Sequence, residues 1–181
     1  MSEPKPIRRI VVVDEGDRSK VIADGPSPDI RSDPARPGFS CSRIWVTDRT
    51  PVPLREVRES LRLPHTLLPP PDGSTCFVVT FPPDASFRGK VGASDVAAYF
   101  SLMGAAGAST YSATAPHPYM QKTRTLDFCL VLEGEITLVL DTQEVHLEAG
   151  DTVVQRGTNH AWSNRSDRPC VVAFSSHDAA S

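Results

Sequence analysis

Two segments of this 181-residue chain carry side chains that could transfer protons or bind a metal. Residues 116–128, PHPYMQKTRTLDF, place Asp127 at the start of an apolar run. Residues 150–164, GDTVVQRGTNHAWSN, contain His160. A carboxylate and an imidazole that share an apolar cavity form a reasonable general acid–base couple. The same two groups are also good ligands for transition metals, so the elements that hold them decide which chemistry is available.

Six short apolar segments follow residue 124 in close order and are typical of β-strands. Turn residues such as Glu133-Gly134-Glu135 and Ala149-Gly150 separate them, and no helical pattern intervenes. The segments read LDFCLVLE, EITLVLD, EVHLE, DTVVQ, HAWSN and CVVAF. This run predicts an antiparallel barrel or sandwich. If Asp127 faces the interior, period-two alternation places Cys129 and Val131 there as well.

The first half of the chain combines further strands with two short helices. The predicted strands are residues 7–13, 20–23, 40–48 and 76–81, and residues 24–38, with four Pro and two Gly, predict a loop. Apolar residues at helical spacing predict helices within 52–63 and 92–104. In the second helix Ser94 or Asp95 can cap the start and Gly104 ends it. Its apolar face consists of Val96, Phe100 and Met103.

Composition narrows the function classes. The formal net charge is −3 and no basic block is present, so we expect no nucleic-acid partner. No stretch approaches the ~20 apolar residues of a membrane span, and the chain is expected to be soluble and cytoplasmic. The four cysteines are far apart without a C-x-x-C pair, which predicts reduced, mostly buried thiols.

The segment around Asp127 resembles the first conserved motif of the cupin superfamily, G(X)5HXH(X)3,4E(X)6G. Gly134 stands at its closing glycine and Asp127 at its glutamate position. Gln121 and Thr123 occupy the two histidine positions, and Ala115 the first glycine. The chain therefore departs from the motif at both histidines.

The segment around His160 resembles the second cupin motif, G(X)5PXG(X)2H(X)3N. Gly150, Gly157, His160 and Asn164 match, while Gln155 stands at the proline position and the first spacing is one residue shorter. The wider pattern is similar to a branch of small cupins found in bacteria and in fungal polyketide gene clusters. Members of that branch usually read H-R-T where this chain has Gln121-Lys122-Thr123.

The resemblance implies an all-β fold: a cupin jelly-roll β-barrel with an N-terminal strand arm and one or two short helices. We expect one structural domain. Residues 1–110 would form the arm, the first barrel strands and the short helices, and residues 111–181 the core that carries both motifs. The resemblance also implies a homodimer, in which the arm IRRIVVV adds to the sheet edge of a neighbour.

Cupins hold a metal inside the barrel on three imidazoles and one carboxylate, and here the corresponding set contains only two strong ligands. The candidate metal residues are Gln121, Asp127 and His160, and the candidate metals are Fe, Mn, Ni or Zn. Thr123 would at most hold a water. His117 could complete the site only if the chain folded back at its flanking prolines; otherwise it is a loop or pocket-mouth histidine.

The alternative use of the same pocket is metal-free catalysis. Asp127 and His160 would be the catalytic acid–base pair, and Gln121, Thr123, Tyr119 and Trp162 the substrate-binding residues. The resemblance implies decarboxylation or isomerisation of a small carbonyl-bearing or aromatic metabolite. A metal-dependent cupin oxygenase and a non-catalytic ligand-binding cupin remain as alternatives, and so does a structural role for a buried Asp–His pair.

Overall fold

The computed structural model describes residues 6–54 and 59–180. Its strands are β1 (Arg8–Glu15), β2 (Arg18–Pro26), β3 (Ile30–Ser32), β4 (Ser40–Thr47), β5 (Ser74–Phe81), β6 (Thr125–Glu133), β7 (Glu135–Leu140), β8 (Glu144–Glu148), β9 (Thr152–Arg156), β10 (His160–Ser163) and β11 (Cys170–Asp178). The α-helix α1 spans Ala93–Leu102, and 3₁₀ turns span Ser60–Arg62, Asp84–Ser86 and Ala106–Ala108. The predicted all-β class with short helices is confirmed.

Two antiparallel sheets form the barrel. The larger has the order β3-β4-β5-β11-β6-β9, and the smaller has the order β10-β7-β8. Strands from both halves of the sequence therefore share one sheet, because β11 pairs with β5 on one side and with β6 on the other. A core cluster that includes Val131, Leu138 and Trp162 joins the two sheets.

Strand β6 shows the predicted alternation. Asp127, Cys129 and Val131 are buried, whereas Phe128 and Leu130 between them are exposed. Side chains on successive strand residues point to opposite faces, so Asp127 faces the interior together with the two apolar residues. The segment that follows turns at Gly134, whose φ is +79°. A Cβ there would lie 2.9 Å from the Pro169 carbonyl oxygen, so glycine fits where a side chain would not.

Helix α1 covers one flank of the barrel. The Asp95 carboxylate accepts a hydrogen bond from the Gly92 N–H at 2.9 Å, which stabilises the first turn. Val96, Phe100 and Met103 are buried against residues of β4 and β5, as their spacing predicted. The chain leaves the helix at Gly104, which has a φ of +59°.

One prediction for the first half of the chain needs correction, and another lies partly outside the described residues. The predicted loop 24–38 contains the end of β2 and the three residues of β3, because Ile30–Ser32 pair with β4. The predicted helix 52–63 lies partly in residues 55–58, outside the described residues. Its described end is the 3₁₀ turn Ser60–Arg62, not an α-helix.

The four cysteines are free, and Cys41, Cys129 and Cys170 are buried. Burial raises the pKa of each of these three thiols to about 12, which keeps them protonated and unreactive at neutral pH. This confirms the expectation of reduced, mostly buried thiols. No helix in the described segments has the length and apolar character that a membrane span requires.

Candidate functional site

A cavity of about 70 Å³ lies inside the barrel between the six-stranded sheet and β10. Its wall is mostly apolar, with aromatic rings from Phe39, Phe77, Phe81, Trp162 and Phe174. A volume of this size holds several waters or a small organic molecule. The cavity brings together all six of the predicted catalytic and substrate-binding residues, which are Tyr119, Gln121, Thr123, Asp127, His160 and Trp162.

Backbone pairing holds Gln121 opposite His160. The Gln121 N–H donates to the His160 carbonyl at 2.8 Å, and the His160 N–H donates to the Gln121 carbonyl at 2.9 Å. The two side chains then meet in the cavity, with Gln121 Nε2 3.3 Å from His160 Nε2. Gly157, with a φ of +63°, makes the turn that brings the chain from β9 to β10.

The tautomer of neutral His160 follows from its contacts. Its Nδ1 lies 2.9 Å from the Thr158 carbonyl oxygen, which can only accept. The proton therefore sits on Nδ1, and Nε2 carries a lone pair that accepts from the Gln121 amide. A histidine held in this way presents Nε2 as a base or as a metal ligand.

Burial lowers the pKa of His160 below its ordinary value of 6.5, although the hydrogen bond to Thr158 and the charge of Asp127 act in the opposite direction. His160 is therefore neutral at pH 7, and its Nε2 lone pair, which accepts from the Gln121 amide, can take up a proton when a ligand displaces that contact. Burial also lowers the pKa of His65, where contact with Asp29 opposes the effect.

This pKa shift predicts how stability changes with pH. The unfolded chain takes up a proton at His160 near the ordinary pKa of 6.5, but the folded chain does so only at lower pH. The free energy of unfolding should therefore be fully expressed above about pH 6.5 and should fall as the pH drops toward the folded-state pKa. Urea denaturation at several pH values should show a shallower decline for His160→Gln. His65→Gln should flatten the curve independently, because the shift there has the same sign. An unchanged decline in both variants would contradict the assignment.

Asp127 lies at the centre of a row of polar side chains across the larger sheet. It pairs with Gln155 on β9 and with Ser176 on β11, and all three line the cavity. Thr125 donates to Asp127 Oδ2 at 2.9 Å, and the hydroxyls of Thr123 and Thr125 are 2.7 Å apart. A chain of hydroxyls therefore leads to the carboxylate, and Thr125, Gln155 and Ser176 are site residues that the sequence analysis missed.

Asp127 and His160 share the cavity without a direct hydrogen bond between them in the described structure. His160 forms hydrogen bonds with Thr158 and Gln121, and Asp127 forms one with Thr125. The two groups can therefore act on different atoms of one ligand.

Several buried polar atoms around the cavity have no hydrogen-bond partner within the part of the chain that the structure describes. They are Gln121 Oε1, Gln155 Nε2 and Trp162 Nε1. Buried polar groups are normally paired, and an unpaired one costs about 1–3 kcal/mol. An acceptor for Trp162 and Gln155 and a donor for Gln121 would relieve this cost. These atoms therefore indicate a ligand or ordered water in the cavity.

The cavity does not offer the ligand set of a typical cupin metal centre. Among residues 6–54 and 59–180, the only group of three His, Cys, Asp or Glu ligands close enough to hold an ion is Glu135, His146 and Glu148 on the exposed surface. In the cavity, the Gln121 amide nitrogen faces the His160 lone pair. The residues present therefore fit a metal poorly.

His117 lies in the loop that precedes Gln121, in agreement with one of the two expectations, and its side chain is buried outside the cavity lining. It is not a cavity ligand. Its Nδ1 accepts from the Tyr119 N–H at 3.2 Å, and its Nε2 is 3.4 Å from Asp84 Oδ2. Ser163 also donates to Asp84 at 2.6 Å. Burial opposes ionisation of Asp84, but the contacts with His117 and Ser163 lower its pKa overall, so the carboxylate joins the His117 loop to β10 inside the protein.

Other polar and aromatic residues divide between surface and structural positions. His65 lies in a loop with its side chain buried against Asp29, whereas His146 is exposed. Trp45 packs against Arg9 on the outside of the cavity. Lys122, Arg124 and Arg156 are exposed. Asn164 bonds to the carbonyls of Phe81 and Arg168, which supports a role in fixing the turn.

Arg36 is a further site residue that was not predicted from the sequence, a buried cation that lines the cavity. It lies between β3 and β4, in the segment predicted as loop. Nothing in its local pattern distinguishes it from the neighbouring arginines at positions 31 and 43, because its burial depends on residues far away in the chain.

The fold and the site together define the class. Residues 112–176 match the family model described as "Cupin domain", and the same segment contains most of β6–β11 and the cavity residues Asp127, Gln155 and His160. The match confirms the predicted resemblance of this segment to the cupin superfamily.

Two curated fungal proteins share short segments with this chain. One is "Phomopsin biosynthesis cluster protein C'" of Diaporthe leptostromiformis, 56% identical over 48 residues, which cover 26% of this chain and 25% of that protein. The other is "Oryzines biosynthesis cluster protein J" of Aspergillus oryzae, 48% identical over 50 residues, which cover 27% and 28%. The matches thus span about a quarter of each relative. Both names agree with the predicted likeness to cupins of fungal gene clusters.

Among solved structures, the chain is similar to a "Cupin 2 conserved barrel domain protein" from Salinispora arenicola CNS-205. The sequence identity is 13%, the TM-score is 0.40, and the alignment covers 82% of each chain. At this identity the likeness concerns the fold alone.

Proposed function

We propose that this protein is an enzyme that transfers a proton on a small carbonyl-bearing or aromatic metabolite, with decarboxylation or isomerisation as the net reaction. The observation that carries the proposal is the oriented Nε2 lone pair of His160, which lies in the same largely apolar cavity as Asp127. A neutral base and a carboxyl group in such a cavity suit general acid–base catalysis.

The residues take separate roles. In an isomerisation, His160 Nε2 removes a proton from the carbon next to the carbonyl, and the electron pair moves onto the carbonyl oxygen as an enolate. The protonated imidazole or Asp127 then returns a proton to a different carbon. In a decarboxylation, His160 Nε2 first takes the proton of the substrate's carboxylic acid group. The bond to the carboxylate carbon then breaks, carbon dioxide leaves, and the protonated imidazole returns that proton to the enolate carbon. The Gln121 amide, with an unpaired Oε1, orients the substrate.

The names of the fungal relatives support a substrate that is a small metabolite, since both are proteins of biosynthesis clusters. The cavity volume also favours a small molecule over a polymer.

Deuterium exchange tests the proposal without knowledge of the physiological substrate. A panel of small ketones, β-keto acids and phenolic acids is incubated with the protein in heavy water, and NMR follows deuterium at the carbon next to the carbonyl together with carbon dioxide release. We expect exchange or release that depends on His160. Binding without exchange or release for any member of the panel would instead favour the non-catalytic ligand-binding cupin.

A metal-dependent cupin oxygenase is the other alternative, and the cavity ligands lead to a prediction about it. Gln121→His should raise the divalent-metal content of the purified protein, because an imidazole adds a third strong ligand beside Asp127 and His160. The content of Fe, Mn, Ni and Zn is measured by elemental analysis after dialysis against chelator, with Arg156→His, an exposed position, as the control. One equivalent of metal retained by the unmodified protein would contradict this prediction and favour the oxygenase.

We also propose that the protein forms a homodimer through the β1–β2 hairpin. Among the described strands these two pair with each other and with no third strand, and the apolar residues Ile10, Val12 and Val21 are exposed on them. Burial of such a face and of the free strand edges stabilises association. Light scattering at micromolar concentration should give the dimer mass, and Val12→Lys should give the monomer mass without loss of melting temperature. A monomer mass for the unmodified protein would reject the dimer.

A further inference from the structure

Arg36 enters the cavity from the segment between β3 and β4. Its side chain is only 4% exposed and lines the cavity that also contains Asp127 and His160. It is the only Lys or Arg among the described residues that line this cavity. A guanidinium carries its positive charge in proteins even where it is buried.

Three aromatic rings hold the guanidinium in place. Its carbon lies 3.6 Å from the ring centre of Tyr119, 3.9 Å from that of Phe39 and 4.2 Å from that of Tyr99. Aromatic faces attract a cation and restrict its rotation. The guanidinium therefore has a fixed position in the cavity wall before any ligand binds.

Only part of its donor capacity is used. Arg36 Nε donates to Asp33 Oδ2 at 2.7 Å. Tyr119 donates to the same oxygen at 3.0 Å, and the Ala35 N–H donates to the other Asp33 oxygen at 3.0 Å. Both oxygens of Asp33 therefore accept hydrogen bonds, and Arg36 Nη2 is buried without a hydrogen-bond partner among the residues that the structure describes.

We propose that Arg36 is the anchor for the carboxylate group of a small, planar organic acid bound in this cavity. The free Nη2 donates to the carboxylate, and the aromatic and aliphatic side chains of the wall contact the rest of the molecule. This identification of the substrate class rests on the proposed function, because it places the acid in the cavity that contains His160. The segment from Tyr119 to Gln121 connects the two groups, since the Tyr119 ring stacks on Arg36 and the Gln121 amide contacts His160.

A carboxylate fits these features better than a phosphate. The cavity is small and mostly apolar, and a single guanidinium already paired with Asp33 offers few donors. A carboxylate needs few donors, whereas a phosphate presents more acceptor oxygens and more charge, which several cations or backbone N–H groups usually satisfy. The cavity lining supplies no second cation in the described segments.

Calorimetry with three simple probes tests the proposal. Benzoate carries a planar carboxylate, benzamide has the same shape without the charge, and inorganic phosphate is a tetrahedral anion. We expect the unmodified protein to bind benzoate at least about tenfold more tightly than benzamide, because the amide lacks the charge-assisted hydrogen bond. We expect no binding of phosphate. Equal affinity for benzoate and benzamide, or preference for phosphate, would overturn the proposal.

Two variants assign the effect to Arg36. Asp33→Asn combined with Arg36→Met removes both charges of the ion pair, so that no lone buried charge remains, and should abolish the preference for benzoate. Arg36→Lys keeps the charge but not the planar fork, and should weaken benzoate binding severalfold. Arg156→Met removes an exposed arginine on β9 and should change nothing. Preference for benzoate that survives the double substitution would reject Arg36 as the anchor.

The benzoate binding test and the test of the proposed function can fail independently of each other. His160→Gln should still prefer benzoate over benzamide, because Arg36 is unchanged. If this preference persists while the exchange panel shows no catalysis, the anchor stands and the enzyme proposal fails. If catalysis is found but benzoate and benzamide bind equally, the enzyme proposal stands and the anchor fails.

Discussion

His160→Gln is expected to reduce turnover by about 10²–10⁴-fold, the usual contribution of a positioned general acid or base. Glutamine retains approximate size and hydrogen-bonding capacity, but it cannot accept a proton at neutral pH. The melting temperature should remain near normal, because His160 faces a cavity in which water can replace a lost partner. Asp127→Asn should behave in the same way, since its carboxylate lies in the same cavity and receives a hydrogen bond from Thr125.

The lack of a direct hydrogen bond between these two residues sharpens the test. In a purely structural pair, removal of one member leaves the other without its hydrogen-bond partner, at a cost of about 1–3 kcal/mol. Here neither substitution removes the hydrogen-bond partner of the other. Kinetics and thermal melts of both variants should be compared with Arg156→Gln, which changes an exposed side chain on β9. Large stability losses in both, with ligand affinity per folded molecule unchanged, would indicate a structural role.

Arg43→Met is expected to cause the largest loss of stability. Arg43 on β4 is buried, and its Nε forms an ion pair with Asp29 Oδ2 at 2.6 Å. Its two Nη groups donate to the carbonyl oxygens of Pro64 at 2.6 Å, Leu63 at 2.7 Å and Leu61 at 3.1 Å. Removal of one member of a buried ion pair costs about 3–5 kcal/mol, which lowers the melting temperature by about 10 °C in a chain of this size.

Arg8→Met is the matched control for this prediction. Arg8 forms a comparable pair with Asp24 at 2.6 Å, but both side chains are exposed, so solvent already screens the interaction. The melting temperature of this variant should match that of the unmodified protein. Because the loop that Arg43 holds leads to Leu67 in the cavity wall, Arg43→Met should also weaken ligand binding. Equal melting temperatures for both variants would show that the Arg43 contacts do not stabilise the fold.

The barrel strands and the inward direction of Asp127 could be predicted from sequence because they depend on neighbouring residues. Alternation along β6 fixes which face Asp127, Cys129 and Val131 share, whatever the rest of the chain does. The two motifs also placed Gln121 and His160 at one site, and backbone pairing in the structure brings them together. Helix α1 could be predicted for the same reason, since its apolar spacing and the residues of its first turn lie within one short segment.

Residues that enter the site through long-range packing could not be predicted in the same way. Arg36 belongs to the cavity only because β3 pairs with β4 and because Tyr99 and Tyr119, distant in sequence, stack on its guanidinium. Gln155 joins Asp127 through the register of β6 and β9, which the pattern of neither strand specifies alone.

The position of His117 also depends on residues far away in the chain. Its spacing from Gln121 allowed a role as a ligand in the cavity. In the structure its Nε2 instead contacts the buried Asp84, and the side chain lies outside the cavity. The sequence by itself thus determined the strands after residue 124, the buried face of β6 and the motif residues, because local periodicity and chain proximity encode them. Only the tertiary structure decided that the loop cation Arg36 reaches the cavity and that the buried His117 does not, because strand register and contacts between buried polar groups are set between residues far apart in the chain.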